Sequence, residues 1–312
     1  MLKSGFSFQQ CLHILEEKNT ALIFEKINDR LNAGERINDF IYVFLPLSWQ
    51  KYFQGFIFYM SLEEALECSM YIVKEEKKAL ESILQGTLYP CLLFMGTCLG
   101  IKLFSHTILP SMISLMNGFK VSTTNLFSLQ IGIEVFSSIG LIVASVISIV
   151  LTICFQKHNI VSVYRFVARK MPNSVMVMLA SEDFTRFFLE CERRNISTYS
   201  TLTILKEISQ KPLVQYVAGQ LDDALSEGET MEQAIYHSSV ETALIRLFRT
   251  AIRTSSCVEM MESYLEMTHQ RTIKRIKKIS LSIQLLSYSA IGSVLILVYQ
   301  VLLIPMQMLQ NI

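Results

Sequence analysis

Leu31-Asn32-Ala33-Gly34-Glu35 and Leu225-Ser226-Glu227-Gly228-Glu229 lie 194 residues apart, and their likeness decides how this chain is read. Each closes an amphipathic run with Gly-Glu, and Asp29 matches Asp223 at the same offset. Further out, Ser61-x-x-Glu64 returns as Ser256-x-x-Glu259 at offset 195, and Glu67 matches Glu262. Pro110, beyond a first apolar stretch, matches Pro305 beyond the last. Towards the N-terminus, Ser7, Leu12, Ile14 and Leu15 match Ser197, Leu202, Ile204 and Leu205 at offset 190. A slowly drifting offset is what a duplication with small insertions leaves behind, and two copies are too few for a solenoid. Each copy runs into an apolar stretch long enough to cross a membrane. A duplicated, membrane-attached helical unit describes a scaffold before it describes an enzyme.

Composition agrees with that reading. The chain has 312 residues, 51% hydrophobic and only 18% charged, which is more apolar than an ordinary soluble protein. A net charge of +1 offers no basic surplus for direct binding of nucleic acid. Its seven cysteines form no CxxC pair and no metal-ligand spacing, so they read as reduced structural thiols. Met1-Leu2-Lys3-Ser4-Gly5 opens no signal-peptide core, and an internal span is expected to direct membrane insertion.

A bilayer core of about 30 Å needs about 20 apolar residues in a helix. Three stretches meet the requirement: 88–110, 131–155 and 281–305. Residues 1–87 and 156–280 carry 26 of the 28 Lys and Arg, whereas the 111–130 connection carries only Lys120. The positive-inside rule therefore puts both polar blocks in the cytoplasm, and the 111–130 loop and the C-terminus outside. The expected order is a first helical domain (1–87), a span, an outside loop, a second span, a second helical domain repeating the first (156–280), and a third span. Arg271, Lys274, Arg275, Lys277 and Lys278 would meet anionic lipid headgroups just before the last span.

Both polar blocks read as helical. Ser7-x-x-Gln10, Ser61-x-x-Glu64 and Thr230-x-x-Gln233 have capping-box spacing. The run 21–33 stops at Gly34, and its counterpart stops at Gly228, both suited to left-handed C-caps. Ser61 and Ser256 then open the helices that lead to the first and third spans. Within the first span, Pro90 needs neighbours to satisfy a freed carbonyl. Gly96-x-x-x-Gly100 would let another backbone approach closely, in a second helix or a second copy of the chain. Glu134 is the one carboxylate in a span, near the outer interface, with Lys102 as a partner candidate.

Catalytic signatures are missing from the sequence. It contains no GxxxxGK[ST], GxSxG, HExxH or GxGxxG, and its five histidines are scattered. Glu64 and Glu67 form a weak cation-site candidate, since acidic residues in a first helical turn ordinarily complement the helix dipole. Neither a cofactor nor a metal is implied.

The whole chain resembles the type II secretion system F family, the inner-membrane platform proteins of type II secretion, type IV pili and competence pseudopili. The likeness is carried by Ser4-Gly5-Phe6-Ser7 with Leu12 and Leu15, by Leu31-Asn32-Ala33-Gly34-Glu35, and by Leu62-Glu63-Glu64-Ala65-Leu66. Leu88-Tyr89-Pro90 at the entry to the first span and Leu109-Pro110 beyond it are its most specific parts. The resemblance implies an all-α integral membrane protein with two homologous cytoplasmic helical bundles and three transmembrane helices. It implies a non-enzymatic platform that couples a cytoplasmic assembly ATPase to polymerisation of pilin-like subunits, and that self-associates. The Phe/Ile-rich sequence is most similar to the competence branch, where the output is DNA uptake.

Two departures from the family matter. Gly55-Phe56-Ile57-Phe58-Tyr59 stands where the family carries a Gly-Glu-x-Ser-Gly-like segment, and Arg253-Thr254-Ser255-Ser256 also lacks the acid. The chain also opens at the family's Ser-Gly, without the helix that usually precedes it. A small transporter or channel subunit is the competing reading. It would require polar groups converging at mid-bilayer.

Overall fold

The computed structural model describes residues 10, 21–108, 110, 111, 114, 135, 138, 139, 142, 145, 146, 159–208, 211–251 and 257–309. Among these residues all regular structure is helical. In chain order the helices are α1 (Ala21–Asn32), α2 (Ile37–Phe40), α3 (Leu47–Phe56), α4 (Leu62–Leu103), α5 (Ile160–Lys170), α6 (Val175–Glu192), α7 (Thr198–Glu207), α8 (Pro212–Ser226), α9 (Met231–His237), α10 (Thr242–Ala251) and α11 (Cys257–Leu309). A 3₁₀ turn at Ile41–Phe44 follows α2, and a π-helical turn at Phe104–Ile108 follows α4. The second apolar stretch, with Glu134, lies almost wholly outside the described residues, as do Lys120, Ser256 and the capping box expected at Ser7.

The two Gly-Glu segments end their helices with the same cap. Gly34 has φ +82° and Gly228 has φ +89°. At the first, the Gly34 N–H donates to the Leu31 carbonyl and the Glu35 N–H to the Arg30 carbonyl. At the second, the Gly228 N–H donates to Leu225 and the Glu229 N–H to Ala224. Both are Schellman motifs, in which a left-handed residue lets the chain turn back and satisfy the last carbonyls. Glycine is required because a Cβ in that conformation collides with its own carbonyl. The next helices also start as their sequences imply. The Ser61 N–H and hydroxyl both donate to Glu64 Oε2, and the Glu64 N–H donates back to Ser61 Oγ. Thr230 and Gln233 form the same reciprocal box before α9.

The chain divides into two units. The first takes residues 1–80 and 160–272, and the second takes 81–159 and 273–312. In the first unit both polar blocks share one apolar core centred on α6, where thirteen of eighteen residues are buried. Phe187 of α6 packs its ring 5.5 Å from Tyr52 and 6.5 Å from Phe56 of α3. The next residue, Phe188, sits 5.6 Å from Phe248 of α10. Phe53 and Phe248, one repeat apart, are both fully buried. Each ring removed from water stabilises by roughly 1.5–3 kcal/mol, so this row of aromatics is a main source of the cohesion between blocks.

The second unit contains the apolar parts of α4 and α11. Both helices are long and apolar enough to cross a membrane. They meet at Gly86, where a Cβ would lie 3.5 Å from Ile276 Cγ2 and whose carbonyl accepts from Ser280 Oγ at 2.6 Å. The hydroxyls of Tyr89 and Tyr288 meet at 3.2 Å. Ser280 lies 194 residues from Gly86, the spacing of the repeat itself.

Candidate functional site

The polar chemistry of the first unit gathers on α6 and the two residues after it. Leu189 and Cys191 of α6 point into the core, yet Glu190 is also buried, with 3% of its side chain exposed. A carboxylate removed from water needs compensating charge. Arg193 Nη1 donates to Glu190 Oε1 at 2.7 Å, and Arg194 Nη1 donates to Glu190 Oε2 at 2.7 Å. The buried acid thus holds two consecutive arginines, and each arginine reaches outward to another acid. Arg194 pairs with Glu67 of α4 at 3.6 Å, and Arg193 pairs with Glu262 of α11.

Glu67 and Glu262 are repeat equivalents. Their side chains are exposed to nearly the same extent, 46% and 47%, so the two arms of the lattice mirror one another. Two helix openings separated by 195 residues are clamped to one helix through one buried carboxylate.

A second set of charges lies one to two turns earlier on α6. Arg186 donates to Glu182 Oε1 at 2.8 Å and pairs with Asp183 at 3.4 Å. His269 Nδ1 of α11 stands 3.4 Å from the same Glu182 oxygen. Burial pushes the Glu182 carboxyl above the usual range, and Arg186 and His269 offset this only in part. Lys211, just before α8, bridges Asp183 at 2.7 Å and Glu76 of α4 at 2.5 Å. Tyr52 of α3 donates to the same Glu76 oxygen at 2.7 Å. On the far side, Tyr264 of α11 donates to Glu241 Oε2 at 2.7 Å, and Ser181 accepts from the Glu241 N–H at 2.8 Å. Between α4, α6 and α11 these groups leave a crevice of about 240 Å³, lined by Tyr71, Glu75, Arg193, Glu262 and His269 among others.

Glu190, Glu76 and Glu241 are held by arginine, lysine or tyrosine, whereas Glu182 Oε2 is buried without a hydrogen-bond partner among the described residues. The nearby thiols are poor nucleophiles, since burial pushes Cys191 up to about 12 and raises Cys68 further. Among the described residues there is no cluster of His, Cys, Asp and Glu suited to a metal ion. Of the weak cation candidates, Glu64 closes the capping box of α4 and Glu67 pairs with Arg194.

The remaining residues singled out from sequence fall as follows. Gly34 and Gly228 are the two C-caps. Pro90 lies inside α4, which continues through it, and the Tyr89 hydroxyl pairs with Tyr288. Pro110 is helical, and Pro305 lies within α11. Gly96 and Gly100 line an apolar groove of about 570 Å³ together with Thr97, Ile291, Val294 and Leu295. Among the described residues no atom comes within 4 Å of a Cβ built on either glycine. Gly86, a lone glycine with no spacing motif to mark it, meets Ile276 and Ser280 of α11. Arg193, Arg194 and Glu190 were also invisible as a site. The charges of one helix end acquire meaning only when α4 and α11 are brought against them.

Compared with known proteins, the chain matches no family model, no curated protein and no solved structure.

Proposed function

We propose that this chain is a membrane platform of the type II secretion F kind, which couples a cytoplasmic assembly ATPase to polymerisation of pilin-like subunits, with DNA uptake through a competence pseudopilus as its output. The observation that carries the reading is the mirrored clamp of Glu67 and Glu262 on Arg194 and Arg193. Each clamped helix runs on without a break, α4 for 42 residues and α11 for 53, into sequence apolar enough to cross a membrane. A protein that passes motion from a soluble motor to subunits in a bilayer needs such a pair of stiff rods fixed to one base. In this reading three spans cross the membrane, with the N-terminus in the cytoplasm and the C-terminus outside. The charge asymmetry of the sequence supports that orientation. The competing transporter reading draws no support from the groove beside Gly96 and Gly100, whose lining is apolar except for Thr97.

The test is twofold. Reporter fusions at Lys120 and after Ile312 should both read as exported, and cytoplasmic readout at both positions would refute the topology. Cells lacking the chain should retain their pilin-like subunits in the membrane but assemble no filaments and take up no DNA. In-cell crosslinking through the tagged chain should capture an assembly ATPase. Normal filaments in the deletion strain would refute the platform.

A further inference from the structure

We infer that α5 is an interfacial helix that docks on the anionic cytoplasmic surface of the bilayer through the face bearing Arg165, Phe166, Arg169 and Lys170. The inference rests on the membrane reading of the second apolar stretch given above and adds a lipid-binding surface to it.

One face of α5 is committed to the protein. Tyr164 is fully buried and donates its hydroxyl to the Ser239 carbonyl, and its ring meets Tyr216 edge-on at 6.1 Å. Val163 and Val167 are half-buried on that same side. Ser162, Arg165, Phe166, Arg169 and Lys170 are all exposed, and they recur at three- and four-residue steps, so they form a single stripe. Because the opposite face is anchored, the direction of this stripe is set by the fold.

The stripe combines charge with apolar bulk. Phe166 is 62% exposed, and Met171, which follows directly, is 65% exposed. Lys170 lies 4.9 Å from the Phe166 ring centre, and Arg165 lies 5.5 Å from that of Tyr216. No carboxylate among the described residues pairs with Arg165, Arg169 or Lys170. The surrounding sequence extends the asymmetry, since from Val135 to Ser181 the chain has no Asp or Glu and carries Lys157 besides these three cations. Cations interleaved with large apolar side chains suit the headgroup region, where ammonium and guanidinium groups reach phosphates while the apolar groups enter the acyl boundary.

The length of the chain sets how far this face can be from a membrane. The apolar stretch ends at Phe155 and α5 begins at Ile160. Five residues fully extended reach at most about 18 Å, so α5 starts near the interface at which that stretch emerges. A soluble acidic protein would satisfy the cations alone, whereas a bilayer also accounts for Phe166, Met171 and the short tether.

The chain has one tryptophan, Trp49, in α3, which permits a clean optical test. Full-length W49F/F166W is reconstituted in nanodiscs of neutral or anionic phospholipid, each doped with lipid brominated near the headgroup end of its acyl chains. W49F/Y299W, which reports from α11, shows whether the chain is inserted at all. Strong quenching of F166W in anionic discs is expected. Most of it should be lost in neutral discs, in R169E/K170E, and when salt rises enough to cut the screening length from about 10 Å to about 3 Å. F166W left unquenched by brominated lipid in both kinds of disc, with Y299W quenched, would overturn the inference and leave the membrane reading intact. Unquenched Y299W would instead overturn the membrane reading. Quenching of F166W that ignores lipid charge, salt and charge reversal would overturn the anionic assignment. Circular dichroism of R169E/K170E checks that both substitutions, at exposed positions, leave the helices formed.

Discussion

Glu67 and Glu262, 195 residues apart, are held by neighbouring arginines: Arg194 takes the first and Arg193 the second. Both arginines converge on Glu190, whose side chain is almost wholly buried. Two like acids are thus presented to one shared base.

The members of this lattice are expected to differ in energetic weight. Glu190→Ala leaves two guanidinium groups without their buried partner and should cost about 3–5 kcal/mol. Glu67→Ala and Glu262→Ala remove half-exposed arms and should cost about 1 kcal/mol or less each. Thermal unfolding of the purified protein in detergent checks the ranking. A Glu190→Ala protein that melts with Glu67→Ala would contradict it.

The two C-cap glycines should respond alike. Gly34→Ala and Gly228→Ala each force a Cβ into left-handed backbone, at about 1–2 kcal/mol. Open space surrounds both positions among the described residues, so the cost is conformational and not steric. Asn, which tolerates this conformation better, should recover part of the loss at both sites. A stability measurement in which Ala is neutral at either position would show that the repeat's cap is dispensable there.

Thiol reactivity follows from burial, with a definite sign. Burial raises the Cys68 and Cys191 thiols above their ordinary range, Cys191 to about 12, so both remain protonated as pH rises through 8 and 9. Alkylation of the folded protein, mapped by peptide mass spectrometry, should therefore spare these two even at mildly alkaline pH. Unfolding should expose both. Labelling of either in the native protein at the rate of a free thiol would disprove it.

The proposed transmission of motion depends on the stiffness of α4. Inserting about four Gly and Ser residues after Lys78 makes a coil within a 42-residue helix. The insertion mutant should still accumulate in membranes but assemble no filaments and take up no DNA. Normal filaments from a stably expressed mutant would eliminate the rigid-rod mechanism.

Local structure was legible in the sequence wherever a short-range rule applied. Gly34 and Gly228 marked helix ends because only glycine adopts that backbone cheaply. Ser61 with Glu64 and Thr230 with Gln233 marked helix starts because their side chains satisfy free N–H groups three residues away. The apolar length of α4 and α11 was equally plain, since about 20 residues of hydropathy are a local property. What the tertiary structure alone decided is long-range. Gly86 carries no motif, yet its carbonyl meets the Ser280 hydroxyl 194 residues on. Glu190 reads as one more acid beside Arg193 and Arg194, yet burial in the shared core turns it into the hub that joins both copies. Such roles depend on which surfaces meet across nearly two hundred residues of chain. Hydropathy and capping chemistry act over a few residues and carry no information about that meeting. It is set by the aromatic packing of Tyr52, Phe56, Phe187, Phe188 and Phe248, which draws both blocks onto α6.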